Sequence, residues 1–237
     1  SGFSVVESKG VFVLIDMKNL SKTYGEEAQQ VWGARNVDLH IAEADFIALV
    51  GPSGSGKTTV LNLLAGLIAP SAGTIHHRGT EIQHLSLEER TSHRLHNMGF
   101  VFQDYQLMPV LTARENVELP LQMQGRTQNE INDITAWALT QVGLGTMMDR
   151  YPRQLSGGQQ QRVAIARAIA GKPSLVLADE PTANLDSKTA QDIIDLFKRL
   201  NQDFKLTFIF STHDQRLIDQ VKRVLRINDG QLTEDKG

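Results

Sequence analysis

Eight residues, Gly51-Pro52-Ser53-Gly54-Ser55-Gly56-Lys57-Thr58, restrict the fold of this chain more than any other stretch. They follow a short apolar run, Phe46 to Val50, and precede a segment in which Val60, Leu61, Leu64 and Leu67 recur at three- and four-residue spacing. The run has the length of a buried strand and the segment has helical period, so the eight residues make a sharp strand-to-helix turn. Glycines in such a turn let the backbone curl closely and aim consecutive N–H groups inward. The helix that follows adds the positive end of its dipole, and the turn becomes a cradle for an anion.

The pattern G-x-x-x-x-G-K-[ST] between strand and helix is that of a phosphate-binding P-loop. In this reading Gly51, Pro52, Ser53, Gly54, Ser55 and Gly56 form the cradle, and Thr59 joins the nucleotide-contacting set. The Lys57 ammonium lies between β- and γ-phosphates, and the Thr58 hydroxyl ligates Mg²⁺. ATP and Mg²⁺ are the expected cofactors. A Mg²⁺ held by one hydroxyl needs a carboxylate, and Leu175-Val176-Leu177-Ala178-Asp179-Glu180 is an apolar strand ending in two acids. Taken alone, such a pair is as readily a solvated strand end. Beside the cradle, Asp179 is expected on Mg²⁺, and Glu180 on the attacking water as base or water-positioner.

The rest of the chain alternates strand and helix, which predicts an α/β fold with a mostly parallel sheet. Val11 to Ile15 and Val31 to Ile41 alternate in β fashion around a polar turn at Gly25-Glu26-Glu27, an expected N-terminal antiparallel β subdomain. Glu88 to Gly145 reads as mainly helical, broken by a strand at Met98 to Phe102. Helices are expected from about Gly158 to Ala170 and from Lys188 to Leu200, a strand at Leu206 to Phe210, and a hairpin at Asp229-Gly230. Residues 1–237 are expected to form one domain, with a helical subdomain inserted at about 104–170. Twenty-four Lys and Arg against 27 Asp and Glu leave a net charge of -3, so the basic surplus that holds nucleic acid is missing and no nucleic-acid partner is expected. There is no cysteine for disulfides or thiolate metal sites, and no apolar run reaches the ~20 residues of a membrane span. The N-terminal stretch lacks the order of regions that marks a signal peptide.

Leu155-Ser156-Gly157-Gly158-Gln159 opens a helix that carries Val163, Ile165, Ala166 and Ile169. It is a second glycine-rich helix start in a chain that already has one phosphate cradle. This pentapeptide resembles the signature motif of ABC ATPases, and the order of motifs agrees from about Val11 to Leu232. The resemblance implies a homodimer in which Ser156, Gly157, Gly158 and Gln159 of one copy face the ATP held by the P-loop of the other. It further implies that Tyr24 stacks on adenine, that Gln103 contacts Mg²⁺ and water, and that His213 contacts the γ-phosphate. Asn184-Leu185-Asp186 resembles the loop that crosses the dimer interface, with Asp186 in the nucleotide-facing set. A separate transmembrane permease is the implied partner, which places the chain at the cytoplasmic face of the inner membrane.

Glu118-Leu119-Pro120-Leu121, the run Gln159 to Ala168, and Pro181 to Asp186 look like the lipoprotein-release and macrolide-efflux branch. A regulatory ATPase that signals through a membrane subunit to a cell-wall enzyme would share every motif. Tyr105, Leu107, Met108, Pro109 and Val110 form a rather apolar stretch, either a seat for a segment of the permease or ordinary core. Where many relatives have Pro-Gly-Glu before the P-loop strand, Glu43-Ala44-Asp45 stands here, which puts that turn's geometry in doubt. Ala183 replaces a frequent glycine, with little effect expected. His93 and His96 share a helix face without a third ligand, His76 and His77 point to opposite faces of a strand, and no transition-metal site is expected.

Overall fold

The structure, a computed structural model, describes residues 13–25 and 30–236. Val11 and the Glu26-Glu27 part of the expected turn lie outside the described residues. In chain order the elements are β1 (Val13–Tyr24), β2 (Val31–Ala42), β3 (Phe46–Val50), α1 (Lys57–Leu64), β4 (Ala72–His77), β5 (Thr80–Glu81), α2 (Leu87–Asn97) and β6 (Met98–Val101). There follow α3 (Ala113–Met123), α4 (Gln128–Gln141), α5 (Gly157–Ala170), β7 (Leu175–Asp179), α6 (Ser187–Phe204), β8 (Thr207–Ser211), α7 (Gln215–Ile218), β9 (Arg223–Asn228) and β10 (Gln231–Lys236).

β3 is apolar throughout, β7 from Leu175 to Ala178 and β8 from Phe208 to Phe210, and these residues are buried on both faces, as strands inside a parallel sheet are. They lie in a six-stranded sheet of order β10-β9-β3-β8-β7-β6, parallel throughout except for the edge strand β10. The Asn228-Asp229-Gly230-Gln231 hairpin that makes β10 has positive φ at both central residues, as the Asp-Gly pair favours. β2 alternates buried and exposed positions from Val37 to Ile41, whereas register shifts break the alternation in β1; the two pair antiparallel in a second sheet of order β2-β1-β4-β5.

Two cores result. One lies between the antiparallel sheet, α1 and one face of the parallel sheet; the other lies under α3 to α6. The second centres on Phe46, Phe197, Phe208 and Phe210, with Phe46 edge-on to Phe210 at 4.8 Å and Phe197 edge-on to it at 5.1 Å. Each buried ring contributes roughly 2–3 kcal/mol of transfer free energy. α3, α4 and α5 fall between β6 and β7 in the chain. Ser86, Thr112, Thr127 and Ser156 start α2 to α5 with reciprocal capping boxes to Glu89, Glu115, Glu130 and Gln159.

The Glu43-Ala44-Asp45 turn keeps the conformation a glycine would take, with Ala44 at φ 62. A left-handed alanine costs about 1–2 kcal/mol. Three hydrogen bonds hold it: the Ala44 N–H donates to Thr207 Oγ1 at 3.0 Å, Asn201 Nδ2 donates to the Ala44 carbonyl at 2.9 Å, and the Ala42 N–H donates to Asp45 Oδ2 at 2.9 Å.

Candidate functional site

The parallel register aligns the strand ends. Leu49 and Asp179 both lie level with Ser211, so the loop after β3, the acids after β7 and the segment after β8 share one edge of the sheet. Adjacent strands stand ~4.8 Å apart, and β8 lies between the other two, so the loop and Asp179 are ~10 Å apart across the sheet. This carboxyl edge is where open α/β sheets bind ligands.

At that edge Gly54 and Gly56 take φ 76 and 107. A Cβ on Gly51 would overlap the Ile227 carbonyl, and one on Gly56 would overlap the Gly33 carbonyl. The cradle is thus wedged between β2 and β9, and the β9–β10 turn braces it through the Gly230 N–H on the Ser55 carbonyl at 2.9 Å. Lys57 reaches back across the loop and donates from Nζ to the carbonyls of Gly51 at 2.7 Å and Pro52 at 2.9 Å. Ser55 Oγ is buried and has no hydrogen-bond partner among the described residues. An orphaned hydroxyl in a glycine-walled loop, with an ammonium held only by carbonyls, fits a phosphate chain. Thr58 is exposed at the start of α1 and Asp179 is half-buried at the end of β7, hard oxygen donors of the kind Mg²⁺ takes.

Glu180 and His213 meet. His213 Nδ1 lies 2.7 Å from Glu180 Oε1, and since a carboxylate can only accept, Nδ1 carries the hydrogen and donates it. The His213 side chain is 79% exposed and that of Glu180 only 18%, so the dyad stands at the rim with the imidazole outermost. Glu180 sits at φ 45, a strained conformation for a residue with a side chain. Its N–H donates to the Ser211 carbonyl at 2.8 Å, and its carbonyl accepts from the Ala183 N–H at 3.2 Å. Thr182 Oγ1 donates to Asp214 Oδ2 at 2.7 Å, and Arg216 beside Asp214 holds that carboxyl below its ordinary range.

Tyr24 ends β1 beside α1, its hydroxyl 3.4 Å from Thr59 Oγ1 and its ring laid over Gly33, where a Cβ would meet it at 2.6 Å. Gln103 is exposed after β6, and Asn184 Nδ2 donates to its carbonyl at 3.2 Å and to Asp104 Oδ1 at 3.0 Å. The segment beyond it is pinned from behind. Arg167 donates to the carbonyls of Gln106 at 2.6 Å and Tyr105 at 2.9 Å, and burial lowers its pKa. Asn116, fully buried, donates from Nδ2 to three carbonyls including that of Met108. Of the apolar stretch, Met108 and Val110 are exposed while Leu107 packs on the core.

Among the described residues no hydrogen bond or ion pair joins Ser156–Gln159 to the cradle of the same chain. Ser156 Oγ accepts the Gln159 N–H at 3.2 Å and Gln159 Oε1 accepts the Ser156 N–H at 2.9 Å, so both also serve as the cap of α5. Gly157 lies against the Tyr105 hydroxyl, and a Cβ on Gly158 would overlap Thr189 Cγ2. Gly158 is therefore small for packing against α6, besides anything its N–H does. Asp186 caps α6, accepting from the N–H groups of Lys188 and Thr189 at 3.1 Å each and from Thr189 Oγ1 at 2.6 Å, bonds that depress its pKa. Away from the edge, His93 pairs with His77 at 2.7 Å, while His96 bonds the Ser92 carbonyl. Sequence reasoning passed over Gly33 and Asn116, and named Gly230 only as part of a hairpin turn and Arg167 only as part of a run.

A strand-loop-helix phosphate cradle, a carboxylate–imidazole dyad at the same sheet edge and a separate capped glycine helix start define a nucleotide-hydrolysing domain. The chain matches the ABC transporter family over residues 34–183 and belongs to it; it is an ATPase coupled to transport. It is 41% identical over 221 residues to an uncharacterised ABC transporter ATP-binding protein of Methanocaldococcus jannaschii, covering 93% of this chain and 98% of that one. It is 40% identical to the lipoprotein-releasing system ATP-binding protein LolD of Idiomarina loihiensis, over 94% of this chain and 98% of that one. Identity to the macrolide export ATP-binding/permease protein MacB of Syntrophobacter fumaroxidans is 42%, and there the chain spans 32% of the longer protein. Among solved structures it resembles the dimeric post-hydrolysis state of the ATP-binding cassette MJ0796 bound to ADP and Pi, with TM-score 0.84 at 40% identity, covering 94% of this chain and 98% of that one.

Proposed function

We propose that this chain is the motor subunit of a transporter of the lipoprotein-release or macrolide-efflux kind, a homodimer around two ATP molecules that drives a separate transmembrane permease. The similarity to LolD and MacB supports the branch, and the dimeric form of MJ0796 supports the assembly. No helix among the described residues is long and apolar enough to cross a membrane, so the proposed location, the cytoplasmic face of the inner membrane, rests on the permease. The observation that carries the reading is the Glu180–His213 contact at the sheet edge that also bears the cradle.

In this mechanism the cradle N–H groups and Lys57 grip the phosphates, and Tyr24 takes the adenine face. Thr58, Asp179 and Gln103 would hold Mg²⁺, which would neutralise charge on the phosphate oxygens. Glu180 accepts the proton of the attacking water, and His213, fixed by its Nδ1–H bond to Glu180, presents its other nitrogen outward to the γ-phosphate. Ser156, Gly157, Gly158 and Gln159 close on the partner's ATP, with Asp186 at the crossing. Loss of the γ-phosphate removes the charge that joins the copies, and the dimer opens.

The whole chain acts as one domain, and the helical part at about 104–170 carries the motion. A groove of about 400 Å³ between α2–β6 and α3–α5 is lined by Leu95, Phe100, Phe102, Leu119, Met123 and Arg167. An amphipathic helix of the permease seated there would press on Gln106, whose carbonyl Arg167 holds, and so move the Gln103 segment. The test is Glu180→Gln. It should bind ATP and run as a dimer on size-exclusion chromatography with hydrolysis abolished; normal hydrolysis would overturn the assignment of the base.

A further inference from the structure

Gln161 is fully buried on α5, five residues beyond Ser156, and its Nε2 donates to the Pro181 carbonyl at 2.6 Å. Its Oε1 is buried with no partner among the described residues. Leaving an amide oxygen bare in a protein interior costs about 1–3 kcal/mol; a methionine of similar size would remove that cost but strip the buried Pro181 carbonyl of its donor, a cost of the same size. Among the described residues only the donor end of this amide makes a hydrogen bond, so the work of the side chain is done at that end.

Pro181 follows Glu180 directly. The left-handed Glu180 backbone is held before the turn by the Ser211 carbonyl and within it by the Ala183 N–H, and Thr182 ties the far side to Asp214. All of these contacts come from the strands and loops of the chain's own nucleotide edge. Gln161 adds one from the helix whose first turn is Ser156 to Gln159. A rotation or shift of α5 is carried by this bond to the residue next to Glu180.

We propose that Gln161 is a positioning residue for hydrolysis: it fixes the Glu180–Pro181 turn from α5, so that closure of Ser156 on one ATP sets the water-activating carboxylate at the other. This rests on the reading of Glu180 as base and of Ser156 as facing the partner's nucleotide. The link is short and direct, and it asks only that a hydrogen-bond donor stand at this spot. The cradle and the α5 cap make no use of Gln161, so ATP capture should not depend on it.

The experiment uses the whole chain with Gln161→Met and Gln161→Ala, measuring steady-state ATPase and thermal unfolding. It also measures the yield of ATP-bound dimer with each change placed in the Glu180→Gln background. Expected for Gln161→Met is a kcat at least tenfold lower, with KM for ATP within about twofold, dimer yield unchanged and the melting temperature within a few degrees of the wild-type value, because relief at Oε1 offsets the Pro181 carbonyl left unpaired. Gln161→Ala should show the same kcat loss with a lowered melting temperature, because it leaves a cavity. A Gln161→Met protein with wild-type kcat would overturn the proposal. So would a raised KM matched by loss of the ATP-bound dimer, which would make Gln161 a mere support of α5. If Glu180→Gln alone hydrolyses ATP normally, the reading of the base has failed; if it is dead while Gln161→Met is normal, only the role of Gln161 has failed.

Discussion

Gly158→Ala separates packing from nucleotide chemistry at the helix start of α5. The added Cβ would overlap Thr189 Cγ2, while Thr189 Cβ and Oγ1 would stand at 3.7 and 4.0 Å, ordinary contact distances. The methyl cannot swing aside freely, because Thr189 Oγ1 donates to Asp186 Oδ2 at 2.6 Å and that carboxylate caps α6. Overpacking of this kind costs about 1–3 kcal/mol. Replacing a helical glycine returns up to about 1 kcal/mol, less so near a helix end. The expected net loss for Gly158→Ala is therefore about 1–2 kcal/mol. Thr189→Ser removes the methyl but keeps the hydroxyl on Asp186, so in that background Gly158→Ala should be neutral or mildly stabilising. Urea unfolding of the four proteins should show a coupling of at least ~1 kcal/mol. Additivity within ~0.5 kcal/mol would refute the steric argument.

Burial, with the neighbouring His93 and Arg78, pushes the His77 pKa down to about 3. The unfolded chain takes up a proton below about pH 6.5 that the folded one refuses, so stability is full above 6.5 and falls as pH drops towards 3. Between pH 7 and pH 5 this amounts to about 2 kcal/mol. Urea midpoints should show most of that loss absent from His77→Gln; equal losses in both proteins would show that His77 is not held neutral. Tyr24→Ala should raise KM for ATP ~5- to 150-fold if the ring stacks on the base, the equivalent of about 1–3 kcal/mol, while Tyr24→Phe stays within about threefold. An unchanged KM for Tyr24→Ala would confine Tyr24 to packing over Gly33.

The parts of the candidate site that local chemistry dictates are legible in the sequence. The cradle follows from the spacing Gly51 to Thr58 between an apolar strand and a helical pattern, and the acids follow from Asp179 and Glu180 closing another buried strand. The order β3-β8-β7 that brings them to one edge is set by long-range pairing, which no local pattern announces. His213 carried no sign of its 2.7 Å contact with Glu180, because the two are joined only when β7 and β8 pair. Gln161 read as one glutamine among three in a row; burial singles it out, and burial depends on how α5 packs. The doubt over Glu43-Ala44-Asp45 was resolved by distant residues, Thr207 and Asn201, that hold Ala44 left-handed. Asp186 and Gln159 both serve as caps, a use written in the Asp-Ser-Lys-Thr and Ser-Gly-Gly-Gln patterns but overshadowed by the motifs they belong to.

The central claim is that each nucleotide site is built from two copies of the chain. Two variants expected to be inactive test it: Lys57→Ala, which lacks the ammonium proposed to grip the phosphates, and Ser156→Arg, which would block the proposed capping helix start. In a mixed dimer the intact cradle of the second faces the intact Ser156 of the first, and one whole site is restored. The account predicts that mixing the two purified proteins recovers ATPase activity that neither shows alone. A mixture as inactive as its components would contradict it.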